Sequence, residues 1–90
     1  MKIIFRIHAI QRLFERSIDD IDIRKVLTNG ETIENYPDDT PYPSRLILGW
    51  SGDRPLHVVV ADNVEENQWI VVTVYEPTPE RWGVDFKRRK

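Results

Sequence analysis

The sequence predicts an α+β fold in which two N-terminal helices pack on a four-stranded antiparallel sheet, followed by a short C-terminal helical turn. Three observations predict it. Apolar residues repeat at the helical period in the first third of the chain, β-branched and aromatic runs replace that pattern after Gly30, and the later runs are joined by turns short enough to force hairpins.

Ile3 to Phe5 could form a short strand. From Ile7 the spacing Ile7, Ile10, Leu13, Phe14 follows the helical period, so a first helix runs to about Arg16. Ser17 or Asp19 can cap a second helix by accepting from a free backbone N–H. Asp19, Asp20 and Asp22 suit the positive end of its dipole, and Asn29-Gly30 reads as a left-handed stop. Ile21, Val26 and Leu27 are the expected buried face of that helix.

Four strands are expected at Thr32 to Tyr36, Arg45 to Trp50, Leu56 to Asp62 and Trp69 to Tyr75. Ser51-Gly52-Asp53-Arg54 links the second and third as a hairpin, and Asn63 to Asn67 links the third and fourth, so the sheet is a meander. Between the first two strands, Pro37 to Pro43 holds three prolines that lack the donor N–H of a ladder, which makes it a stiff loop. Pro77 and Pro79 end the last strand. Pro79-Glu80-Arg81-Trp82 then reads as one helical turn that returns Trp82 and Phe86 to the domain.

Ninety residues with 40% hydrophobic and 31% charged side chains describe one folded domain spanning residues 1–90, with no room for a second core. The absence of cysteine excludes disulfides, thiolate chemistry and every cysteine-based metal site. No apolar run approaches the roughly 20 residues that span a bilayer, and Met1 to Phe5 is too short for a signal peptide, so a cytoplasmic protein without membrane association is expected. There is neither a glycine-rich phosphate loop nor a serine in a nucleophile-elbow context, and the two histidines lie far apart among scattered carboxylates. Neither a metal nor a cofactor is expected.

The formal net charge of −2 conceals a polarity along the chain. Residues 1–30 carry six Lys/Arg against four Asp/Glu, residues 31–80 two against ten, and residues 81–90 five against one. If the two basic ends meet in the fold, they form a positive patch suited to a phosphate-bearing partner.

The first helix places His8, Arg12, Glu15 and Arg16 at spacings of four, three and four, on one face opposite Ile10, Leu13 and Phe14. An imidazole exchanges protons near neutral pH, and a guanidinium grips phosphate with two hydrogen bonds. An ordinary solvated helix face is the plainer reading of the same residues. His57 stands in the third strand on the side opposite Leu56, Val58 and Val60. Tyr75 and Glu76 end the fourth strand close to Arg81 and to the basic run of Lys87 and Arg88. Trp82, beside Arg81, could stack on a base.

His8-Ala9 with Arg12 and Glu15-Arg16, Ile33 to Asp39, Pro41 to Ser44, Leu48-Gly49, Pro55 to Val59, and Thr73 to Pro77 followed by Trp82 together resemble the prokaryotic domain of unknown function 4258. That family looks like a relative of the RelE, ParE and BrnT type II toxins, in which two helices pack on a curled antiparallel sheet. The resemblance implies a metal-independent endoribonuclease that inhibits translation, acting on RNA by itself or at the ribosome. It also implies a cognate antitoxin, a small zinc-finger protein. Cleavage of this kind needs a base for the 2′-OH, cations for the phosphorane charge and an acid for the leaving oxygen. His8 and His57 are the candidate base and acid, Tyr75 and Glu76 are secondary candidates, and Arg12, Arg16, Arg81, Lys87 and Arg88 are candidate phosphate ligands. A non-catalytic interaction module and a ParE-like gyrase inhibitor are the alternatives.

Overall fold

A computed structural model describes residues 1–90. The element order is β1 (Lys2–Phe5), α1 (Ile7–Arg16), α2 (Asp20–Asn29), β2 (Glu31–Tyr36), β3 (Ser44–Ser51), β4 (Arg54–Asn63) and β5 (Gln68–Tyr75). The sheet has five strands in the order β1-β5-β4-β3-β2, with β1 parallel to β5 and the remaining pairs antiparallel.

The expected four-stranded antiparallel sheet is therefore corrected to a five-stranded mixed one. Reasoning from turns finds only strands joined by hairpins. β1 has four residues, pairs with the most distant strand in sequence, and needs no turn to reach it, because both helices and the meander lie between the two.

Both helices cover one face of the sheet, α1 against β5 and α2 against β3 and β4. Ala9, Ile18, Ile23, Val26 and Leu27 pack there on Ile47, Leu56, Val58, Val60, Val71 and Val74, forming the main apolar core. α2 approaches β3 so closely that a Cβ on Gly49 would sit 2.5 Å from a Val26 methyl. No helix is long and apolar enough to cross a membrane.

Three local expectations change. α2 begins as expected, with the Asp19 carboxylate accepting from the Ile21 amide, but its buried set is Ile23, Val26 and Leu27, while Ile21 is exposed. The spacing of three and four from Ile23 makes that the face turned to the sheet. Gly30 is extended rather than left-handed. Glycine is needed there because a Cβ would lie 2.5 Å from the Val26 carbonyl oxygen and 2.6 Å from an Ile47 methyl. The left-handed stop belongs to α1 instead, at Ser17 with φ 54°. α1 rests on the sheet along Ala9 and Leu13, so Ile7 and Phe14 point outward, 75% and 82% exposed.

The two-residue connection Gly52-Asp53 closes the β3–β4 hairpin, with Gly52 at φ 60° in the position that a tight hairpin reserves for glycine. That turn sets Ser51 opposite Arg54 and, three pairs further along, Leu48 opposite His57. The register across four strands then aligns Glu31, Leu48, His57 and Tyr75 in one row. Leu56 and Val58 face the helices, so the alternation of a strand turns His57 to the other face. Residues 77–90 lie over that second face.

Candidate functional site

The site is built on the row just described and on the segment that crosses it. After β5 the chain makes one helical turn, with the Trp82 amide donating to the Thr78 carbonyl, and Trp82 is buried edge-on against the His57 ring at 4.3 Å between centroids. Residues 83–90 then fold into a small loop. The Gly83 amide donates to the Arg88 carbonyl at 2.7 Å, and the Lys90 amide donates to the Arg81 carbonyl at 2.9 Å.

His57 is fully buried, with both ring nitrogens occupied. Nε2 lies 2.8 Å from the Phe86 carbonyl oxygen, which can only accept, so Nε2 carries the proton and donates it. Nδ1 is then the acceptor of the Tyr75 hydroxyl at 3.1 Å. Burial holds the imidazole below its ordinary value of 6.5, against the opposing pull of the Phe86 carbonyl, and the ring is neutral at neutral pH. Burial likewise raises the Tyr75 phenol. No buried side-chain nitrogen or oxygen lacks a hydrogen-bond partner.

Beside this pair lies a cleft of about 740 Å³ lined by Arg16, Tyr75, Glu76, Arg81, Trp82, Arg89 and Lys90, among others. Arg54 holds its two sides together. Its guanidinium donates to the Arg16 and Ser17 carbonyls at the end of α1, and its Nε donates to Glu76 at 2.9 Å. Arg16 thus reaches the cleft because Arg54 clasps the C-terminus of α1, where cations also meet the negative end of the helix dipole.

On the far side of the sheet face, Glu34 accepts from the Tyr36 hydroxyl at 2.6 Å and from Arg89 at 3.3 Å. Burial first, and the Glu34 carboxylate second, push the Tyr36 phenol up to about 12. The Arg89 guanidinium also lies over the Trp82 ring, 5.1 Å from its centroid. Lys87 reaches Glu31 at 3.0 Å.

The structure brings together part of the predicted set. Tyr75 bonds His57, and Tyr75, Glu76, Arg16 and Arg81 line one cleft. His8 is exposed on α1, which covers the sheet face opposite His57, so the two histidines do not form a pair. Arg12 is paired with Glu15 on the helix surface, and neither Arg12, Arg88 nor Lys87 lines the cleft. Glu76 is committed to Arg54. Arg54, Glu34 and Arg89 are the additions. Arg54 stands at the hairpin position facing Ser51, where a side chain can reach the neighbouring helix end. Glu34 stands with Tyr36 two residues on, the spacing of one strand face. No three His, Asp or Glu side chains converge in a metal-ligand arrangement.

The fold and the site define a small α+β domain with helices on one sheet face and, between the end of α1, the end of β5 and the C-terminal segment, a cleft lined by four cationic side chains and by Glu76 and Glu80. The chain belongs to the family described as a domain of unknown function, DUF4258, whose model matches residues 5–76. The match takes in both helices, β2 to β5 and Glu76, while the segment covering His57 lies beyond it. Neither a curated protein nor a solved structure matches the chain.

Proposed function

We propose that this protein cleaves RNA without a metal, in the manner of a type II toxin, with a cognate antitoxin as its protein partner. The observation that carries the reading is the convergence of Arg16, Arg81, Arg89 and Lys90 on one cleft whose wall holds Tyr75, itself hydrogen-bonded to His57. Cations gathered on one cleft suit a sugar-phosphate backbone and the extra charge of a phosphorane.

In the proposed reaction the ribose 2′-oxygen attacks the adjacent phosphorus and the P–O5′ bond breaks, giving a 2′,3′-cyclic phosphate and a 5′-hydroxyl. The 2′-OH proton passes to the Tyr75 oxygen as the Tyr75 proton passes to His57 Nδ1. In this structure the Nε2–H of that ring is held by the Phe86 carbonyl, and Nδ1 is the atom that faces the Tyr75 hydroxyl. The proton taken up at Nδ1 then returns through the Tyr75 hydroxyl and a water to the departing 5′-oxygen, which restores the neutral imidazole and the phenol. Arg54 and Glu76 act by positioning, holding Arg16 at the rim. The small zinc-finger antitoxin and the inhibition of translation are the part of this proposal that the resemblance to domain of unknown function 4258, and through it to type II toxins, implies.

Purified protein incubated with single-stranded RNA in the presence of a chelator should produce 2′,3′-cyclic phosphate ends, and Tyr75→Phe should abolish them while leaving the fold intact by circular dichroism. Cleavage undiminished in Tyr75→Phe excludes the proton route. A second reading, a non-catalytic interaction module, draws on Ile7 and Phe14, large apolar side chains left exposed on α1. It predicts partner binding that is insensitive to salt and no affinity for RNA.

A further inference from the structure

Residues 83–90 occupy the sheet face in an unusual way. Their internal order comes from their own backbone bonds and from the Lys87 amide on Asp85, whereas their side-chain attachments to β2 are two exposed ion pairs, Lys87 with Glu31 and Arg89 with Glu34. Ion pairs of this kind contribute little in water and exchange readily for other anions. Phe86, whose carbonyl closes over His57, adopts φ 59°, a left-handed backbone that a bulky side chain disfavours. Its ring makes a T-shaped contact, 6.0 Å between centroids, with Trp50, which is itself half exposed.

Several contacts made by the loop resemble ones that a nucleotide would make. Arg89 lies over the face of Trp82, where a base would stack. The Phe86 carbonyl takes the Nε2–H that a substrate oxygen would take. Glu31 and Glu34 hold the cations that phosphates would hold. Arg81, Arg88 and Lys90 carry no ion pair and supply further positive charge along the same ten residues.

We propose that residues 84–90 form a displaceable plug over His57, pivoting at Gly83, in which Lys87 and Arg89 exchange the β2 carboxylates for the phosphates of bound single-stranded RNA. The identity of the displacing anion rests on the RNA reading above, whereas the plug itself rests on the loop geometry. Opening removes Arg89 from Trp82, breaks the hydrogen bonds that the Gly83 and Lys90 amides donate to the Arg88 and Arg81 carbonyls, and uncovers the imidazole that partners Tyr75. The closed chain is then held inactive until nucleic acid arrives.

The test uses the full chain and two readouts. Modification of His57 by diethylpyrocarbonate, mapped by mass spectrometry with exposed His8 as the reference site, reports opening without RNA. Removing both tethers in the double variant Glu31→Gln, Glu34→Gln should raise the His57 rate relative to His8 by about tenfold, the factor that two exposed ion pairs supply. Addition of oligouridylate to the unmodified protein should speed exchange of the Gly83 and Lys90 amides in NMR spectra. Unchanged His57 reactivity in a folded double variant overturns the plug. Bound RNA that leaves both amides protected overturns the exchange of carboxylate for phosphate. If oligouridylate does not bind, the function proposed above fails, and the double variant alone decides whether the loop is a plug.

Discussion

His57→Ala tests how much the second sheet face depends on one side chain. The substitution removes a fully buried ring, the edge contact with Trp82 and two hydrogen bonds, one from the Tyr75 hydroxyl and one to the Phe86 carbonyl. Truncating a buried ring costs about 3 kcal/mol or more, and each lost hydrogen bond adds about 1 kcal/mol where the partner stays buried. Tyr75 lines the cleft and regains water, so the total is set near the lower figure, about 3 kcal/mol. A domain of this size has roughly 5 to 13 kcal/mol to lose, and at about 4 to 8 °C per kcal/mol the midpoint should fall by about 12 to 24 °C. Thermal unfolding followed by circular dichroism measures it, with His8→Ala, on the exposed face of α1, expected to move stability by less than about 0.5 kcal/mol. A loss below about 1 kcal/mol for His57→Ala would refute the reasoning, because it would mean that the ring is not the point on which residues 77–90 are docked.

Two further outcomes follow from the same packing. Because burial lowers the His57 value below 6.5, the unfolded chain takes up that proton first on acidification; stability should decline as the pH falls below about 6.5 and level off beneath the folded value, and His57→Gln should flatten this slope in urea titrations across pH. Gly49→Ala should destabilise by about 1 to 3 kcal/mol through collision with Val26, and Val26→Ala should cost less in that background than it does alone; additive losses in a double-mutant cycle would show that α2 does not press on β3 there.

The helices and the meander were legible because their signals are local. The apolar spacing of α1, the Asp19 cap of α2 and the turn at Gly52 each lie within a few residues of what they determine. β1 was not legible as a sheet member, because its partner is β5 and nothing near Lys2 to Phe5 marks a parallel edge. The exposure of Ile21 and Phe14 was hidden for a related reason: the period defines a helix, but the face that is buried is chosen by where the sheet stands. Of the candidate site, the orientation of His57 followed from strand alternation, and Trp82 was expected to fold back. The pairing of Arg89 with Glu34 across 55 positions, and the commitment of Glu76 to Arg54, depend on the closed tertiary structure and leave no local trace. His8, attractive as the second histidine, lies on the element that covers the other face.

The most direct test of the RNA reading is the salt dependence of affinity for single-stranded RNA. With Arg16, Arg81, Arg89 and Lys90 each meeting one phosphate, the logarithm of the binding constant should fall against the logarithm of salt concentration with a slope of about −3, at about 0.7 per contact. The double variant Arg16→Ala, Arg81→Ala should bind more weakly and shorten that slope by about 1.4. An absence of RNA binding, or a slope that the double variant leaves unchanged, would contradict the assignment of this cleft to RNA.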